Sequence, residues 1–236
     1  MTTSKLFTCI ASRTIELEAG AAKLWRRTLQ SEWTRVEVAA LRHFEAEGWA
    51  GYAGEGGLIL SLIKAASFPT LPAGMHSHFI EALYYIASDE YRAAPDYRPP
   101  PPSLANPFDA AGMVGNTLST DEDRLVANFA VMTGPGSSTL SFFPHLTLER
   151  LLGLYRALGN HRLHQIAALF AEDPYTLRKG WPDLTLWRGN EVFFCEVKAP
   201  GDKLQASQRK LMERILLPLG LEVQIVNVTP AQSMRV

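Results

Sequence analysis

The sequence predicts an α/β protein, a small mixed sheet flanked by helices, on three observations. Two short strand-like runs, Leu184 to Trp187 and Val192 to Val197, are separated by Arg188-Gly189-Asn190, the composition of a hairpin turn between antiparallel strands. A third run, Leu221 to Val228, alternates as a strand and follows a stretch in which Leu204, Leu211, Ile215 and Leu216 line one side of a helix ending near Gly220. Upstream, apolar residues recur mainly at three- and four-residue steps, the helical period.

Taken in order, Leu24, Trp25, Leu29, Trp33, Val36, Ala40, Leu41 and Phe44 predict helix within Thr14 to Glu47, closed by Gly48. The glycine-rich run Gly51 to Gly57 reads as a turn, and Leu58 to Ala66 as a buried helix stopped by Pro69 and Pro72. Helical periodicity returns weakly from His78 to Tyr91. Pro95 to Pro107 contains four consecutive prolines, Pro99 to Pro102, and suits neither helix nor central strand. Ser119-Thr120-Asp121-Glu122-Asp123 has the chemistry of a helix N-terminus, Gly134-Pro135-Gly136 that of a loop, and Leu146 to Leu158 and His161 to Phe170 are expected helices. The expected organisation is an N-terminal helical segment over 1–68, an insertion with a proline-rich loop over 69–145, and a core over 146–236.

Composition bounds the function. With 47% apolar residues the chain can bury a core without disulfides or a structural metal. The longest apolar run, Gly57 to Phe68, is interrupted by Lys64 and is too short to span a bilayer, so no membrane partner is expected. Cys9 and Cys195 are consistent with packing thiols in a reducing cytoplasm, though two cysteines also suffice for one disulfide. Basic and acidic residues nearly balance, 23 against 24, so any polyanion site must be local.

The sharpest chemical signal is Pro182-Asp183 followed, after twelve residues, by Glu196-Val197-Lys198. Alternate residues of a strand share a face, so Glu196 and Lys198 point one way and Cys195 and Val197 the other. Hairpin pairing brings Asp183 beside them. Two carboxylates and an ammonium on one face make a hard-oxygen site for Mg²⁺ or Mn²⁺, with a lysine to orient a water or hold charge on a phosphate. This is the PD-(D/E)xK arrangement; exposed charges paired across a hairpin fit the same pattern. His161 and His164, three residues apart, lack the H-E-x-x-H pattern, and His76 and His78 lack an acidic or thiolate partner. The cluster Tyr84, Tyr85, Tyr91 and Tyr97 has the chemistry to stack bases but equally to pack a core.

The run Arg178-Lys179-Gly180-Trp181-Pro182-Asp183-Leu184, followed by Glu196-Val197-Lys198-Ala199-Pro200-Gly201-Asp202-Lys203-Leu204 and Gln208, resembles the VRR-NUC domain of the PD-(D/E)xK nucleases. Within that group it is most similar to the C-terminal nuclease of the Fanconi-associated nuclease family, whose pattern runs G-x-P-D-L, E-V-K-G-P-x-D-R-L and a later Q. Ala199 stands where glycine is usual and Lys203 where arginine is usual. Val36-Glu37, Leu41-Arg42-His43-Phe44, Gly48-Trp49 and Gly54-Glu55-Gly56 also resemble that family upstream, and the likeness is weakest from Pro69 to Phe143.

The resemblance implies a restriction-endonuclease-like core acting on DNA with Mg²⁺ or Mn²⁺. It implies Glu55, Asp183 and Glu196 as metal ligands, Glu55 reaching the site from a helix, with the backbone carbonyl of Val197 as a further donor and Lys198 as the catalytic cation. Taken alone, Glu55 also reads as an acidic residue at a helix start, and Gln208, which the family places near the active centre, as a surface glutamine. Between Thr176 and Ile215 eight basic residues outnumber five acidic ones; Arg178, Lys179, Lys203, Arg209 and Lys210 flank the motif and are expected phosphate contacts. The expected activity is metal-dependent hydrolysis of flap, branched or free-ended DNA in repair. A toxin, phage or defence nuclease with little structural preference, and a non-catalytic DNA-binding module of the same fold, are the alternatives.

Overall fold

A computed structural model describes residues 10–71 and 110–231. The chain divides into two compact units, one joining the residues up to Gly56 with those from Gly180 onward, the other comprising Gly57–Lys179. The expectations for His78 to Tyr91 and the proline-rich segment, and those on His76, His78, the four tyrosines and Cys9, lie outside the described residues.

The first unit is built on one mixed sheet. Its elements are β1 (Ala11–Ala19), β2 (Trp25–Arg26), α1 (Val36–Ala46) and β3 (Ala50–Ala53), then, after the second unit, β4 (Leu184–Arg188) and β5 (Glu191–Lys198). A helix in two parts, regular over Ala206–Leu211 and wider over Met212–Leu216, and a last strand, Glu222–Pro230, complete it. The sheet order is β2, β1, the last strand, β5, β4, β3. The predicted hairpin is present, with Leu184 opposite Cys195 and Arg188 opposite Glu191. The last strand runs parallel to both β5 and β1.

Two readings of the N-terminal region are corrected. Within the span from Thr14 to Glu47 α-helix is confined to Val36–Ala46, with a short 3-10 turn at Ala21–Lys23, and Ala11–Ala19 is a strand. Ile15 and Leu17 are buried and Thr14, Glu16 and Glu18 are not; this period-two signal was masked by the three- and four-residue spacing of Leu24, Trp25, Leu29 and Trp33. The glycine-rich turn also begins later than expected, because Ala50–Ala53 pairs with β4. Gly51 can sit there because a side chain at that position would strike Leu186 and Leu41.

One face of the sheet packs its apolar residues against α1: Ile15, Leu17, Leu184, Leu186, Phe193, Cys195, Val197, Val226 and Val228 form one core with Ala39, Ala40, Leu41 and Phe44. Removing such apolar surface from water is the main stabilising term. Phe194, Glu196 and Lys198 alternate to the opposite face, where the helix from Ala206 lies. Cys195 is a fully buried free thiol.

The second unit is helical: α2 (Gly57–Ala66), α3 (Ala110–Asn116), α4 (Glu122–Thr133), α5 (Thr139–Phe142), α6 (Leu148–Ala171) and α7 (Pro174–Leu177). All ten residues of α2 are buried, as its continuous apolar run predicts. Asn128 of α4 holds the end of α2, donating to the carbonyls of Ala65 and Phe68 and accepting from the Leu71 N–H. Asp121 caps α4 by accepting from the Arg124 N–H. The two helices expected around residue 160 are one run broken at Gly159 (φ 67°). His164 Nδ1 lies 3.0 Å from the Val114 carbonyl, a structural contact. No helix among the described residues is long and apolar enough to cross a membrane.

We number the helix at Ala206–Leu211 α8 and the strand Glu222–Pro230 β6 below.

Candidate active site

Asp183 stands immediately before β4 and Glu196 near the end of β5. Because β4 pairs with β5 only as far as Cys195, the edge of β5 beyond that point is open on the β4 side. Asp183 fills it: its Oδ2 accepts the Val197 N–H at 2.8 Å. Its own carbonyl accepts the Gly54 N–H at 2.9 Å, which ties the turn carrying Glu55 to the same corner. Glu55 lies in that turn, after β3 and ahead of α2, and is exposed; the expectation that it comes from a helix is corrected to this extent. The turn depends on Gly56, whose φ of +78° is in the left-handed region and whose missing side chain leaves room for Trp181.

Glu196 is fully buried and Asp183 nearly so. Glu196 Oε1 accepts from Lys198 Nζ at 2.7 Å and from Gln208 Nε2 at 2.5 Å. Gln208 Oε1 in turn accepts from Lys198 Nζ at 3.2 Å and from the Gln205 N–H at 2.8 Å. Gln208 is thus buried against the motif and closes a capping box at the start of α8. Gly180 makes this approach possible, since a Cβ there would lie 2.3 Å from the backbone of Ser207.

Burial dominates the electrostatics. It pushes the Asp183 carboxyl up to about 6, with the charges of Glu37 and Glu55 adding to the rise and the Val197 N–H and Lys198 opposing it. Burial, then the charge of Asp183, pushes Glu196 up to about 8 against the pull of Lys198. The two acids therefore compete for ionisation, the behaviour of closely placed carboxylates. Glu196 Oε2 is buried with no hydrogen-bond partner among the described residues, and so is Glu37 Oε2.

Glu37 was not singled out from the sequence as a site residue. It lies in the first turn of α1 and lines a pocket with Arg35, Val38, Ala53, Gly54, Glu55 and Asp183. Sequence offers only a weak signal for it, because acidic residues are common in a helix first turn. Glu196 and Lys198 sit behind Asp183 and do not line this pocket. Among the described residues no three acidic, histidine or cysteine side chains converge as a ready-made metal cage.

The expected phosphate contacts are divided between the two units. Lys203, Arg209 and Lys210 are exposed on or beside α8. Arg178 and Lys179 belong to the helical unit, where the Arg178 guanidinium stacks 3.7 Å from the centre of the Tyr175 ring and donates to the Tyr175 carbonyl.

The comparisons agree with this architecture. The family model for the VRR-NUC domain matches residues 122–230. The Fanconi-associated nuclease 1 homolog of Oryza sativa subsp. japonica is 27% identical over 244 residues, covering 96% of this chain and 23% of that protein. The homolog of Schizosaccharomyces pombe is 24% identical, covering 87% and 28%. The chain thus spans about a quarter of the length of these relatives. Among solved structures, paFAN1 bound to 5′-flap DNA with a gap is similar with a TM-score of 0.64 and 21% identity, over 94% of this chain and 38% of that one. The chain thus carries a match to the VRR-NUC domain over residues 122–230, on a mixed α/β fold similar to that of paFAN1, and is similar in sequence to the Fanconi-associated nuclease 1 homologs.

Proposed function

We propose that this chain is a divalent-metal-dependent DNA nuclease that hydrolyses phosphodiester bonds in flap, branched or free-ended DNA during repair. The observation that carries the reading is the buried pair Asp183 and Glu196 beside Lys198. Burying two mutually repelling carboxylates is costly to folding, and a cation between them offsets that cost. The names of the relatives and the flap DNA bound to paFAN1 support the substrate class.

The donors fit Mg²⁺ or Mn²⁺: all are oxygens, and Glu37 and Glu196 each keep a buried oxygen without a hydrogen-bond partner among the described residues. Asp183, Glu196 and Glu55 would hold the ion, with Glu37 beside them. The Val197 carbonyl, which shares a strand edge with the N–H that binds Asp183, would be a further donor. When bound, such an ion lowers the pKa of water and offsets charge on the phosphate.

The remaining work falls to the chain. The Val197 N–H fixes the rotamer of Asp183, and Gln208 fixes Glu196 and Lys198 together. Lys198 Nζ has three protons to donate, two of them directed at Glu196 and Gln208. The third is left for the attacking water or a phosphate oxygen.

The test is a cleavage panel with the purified chain, Mg²⁺ or Mn²⁺, and end-labelled single-stranded, duplex, 5′-flap and covalently closed circular DNA at low salt. Cleavage abolished by chelator is expected, with flap and free ends cut ahead of the closed circle. Absence of metal-dependent cleavage on every substrate would overturn the nuclease reading. Equal attack on the closed circle would overturn the substrate class.

A further inference from the structure

We propose that Arg35 grips a phosphate of the bound strand at the mouth of the carboxylate pocket, an assignment that rests on the nuclease reading above. Arg35 is the one cation among the described residues that line the pocket, which it shares with Glu37, Glu55 and Asp183. Its side chain is exposed and makes no hydrogen bond or ion pair with any described residue, although three carboxylates line the same pocket. Elsewhere in this unit Arg13, Arg26, Arg42 and Arg188 are each paired with a glutamate.

The root of the side chain is fixed while its tip is free. Thr34 and Trp25 exchange two backbone hydrogen bonds of 2.8 and 2.7 Å, and the Arg35 carbonyl accepts the Ala39 N–H at 3.1 Å. The residue therefore sits between a β-bridge and the first turn of α1. Such a mounting holds Cα in place and leaves the guanidinium to reach for a ligand. A guanidinium presents paired N–H groups that match two phosphate oxygens.

Charge supplies the reason for a cation here. A pocket lined by three acids repels a polyanion, and a positive group at its mouth offsets part of that repulsion along the approach. Lys198 does not serve this purpose, since its ammonium is largely buried and bonded to Glu196 and Gln208. Arg35 is thereby separated in role from Lys198: it binds the strand outside, and Lys198 acts at the reacting atoms within.

Arg35→Ala and Arg35→Lys in the full chain test this. Binding is read with a short labelled single-stranded oligonucleotide on a Glu196→Gln background, and cleavage on the otherwise unchanged protein. Arg35→Ala is expected to weaken binding about tenfold and to lower the slope of log K against log salt by about 0.7, the loss of one single-strand phosphate contact. It should raise KM more than it lowers kcat, with Arg35→Lys recovering part of the loss. A binding constant and salt slope equal to those of the Arg35 parent, or weakened binding with an unchanged slope, would overturn the assignment. The binding arm decides Arg35 whether or not the parent cuts. A parent chain that fails to cut overturns the nuclease reading separately.

Discussion

Replacing Glu196 by glutamine should remove most of a pH-dependent weakness of the metal-free protein while abolishing cleavage. A glutamic acid in an unfolded chain ionises near about 4.3, whereas Glu196 in the fold holds its proton to about 8. Its contribution to stability is therefore fully present below about pH 4. It is lost as pH rises to about 8, because the unfolded chain releases the proton first. At about 1.36 kcal/mol per unit, the linkage gives a loss approaching 4 kcal/mol between pH 5 and pH 8. The share of the penalty already carried by Asp183 brings the expected figure to about 2–4 kcal/mol. Glutamine keeps an oxygen to accept from Lys198 and Gln208 and places an amide where Oε2 has no partner among the described residues. Urea denaturation in chelator at pH 5 and pH 8 measures the effect. The wild-type chain should lose stability over that interval and Glu196→Gln should lose far less. Parallel losses in the two proteins would refute the electrostatic account of the corner.

The same acids predict that Mn²⁺ binding at pH 7 releases about one proton per chain, because Glu196 must ionise to ligate; calorimetry in buffers of different ionisation enthalpy reads this, and identical heats would contradict it. Asp183→Ala and Lys198→Ala should each lower kcat by about a thousandfold or more with native circular dichroism, and only the first should also lose metal affinity. Glu37→Gln and Glu55→Gln should fold normally and raise the Mn²⁺ concentration for half-maximal cleavage about tenfold; an unchanged metal titration would return either residue to a surface role. Gly180→Ala should cost about 1–3 kcal/mol, since φ there is +84° and the new methyl meets the Ser207 backbone; thermal melting checks it, and an unchanged Tm would show that the close approach to α8 is not required.

The chemistry of the site was more legible in the sequence than its surroundings. The hairpin from Leu184 to Val197 announced itself because two short strand-like apolar runs, a glycine turn and the PD and E-x-K residues all fall between Pro182 and Lys198. α2 was legible because its apolar run is broken only by Ser61 and Lys64. β1 was not, since only Ile15 and Leu17 carry the alternation, and a strand whose partner lies some 210 residues away leaves no local mark of pairing. Glu37 and Arg35 were missed for the same reason. Their relation to Asp183 exists only once β3 pairs with β4 and the Gly54 N–H reaches the Asp183 carbonyl, and neither contact is encoded within a window around them. Gln208 was seen as a site residue, but its grip on both Glu196 and Lys198 depends on the tight fit at Gly180.

Parallel pairing of β1 with β6 has a consequence for the timing of biosynthesis. Glu37 and Glu55 emerge from a ribosome well before Asp183, and the strand that lies between β1 and β5 is the last to appear. Sheets joined by such distant segments form slowly, because chain closure must be completed before the pairing rewards it. The carboxylates thus come together only once β3, β4 and β5 have paired, long after Glu37 and Glu55 have been made. A nascent chain that has not reached β5 therefore lacks the assembled corner, however much of the first half has already folded.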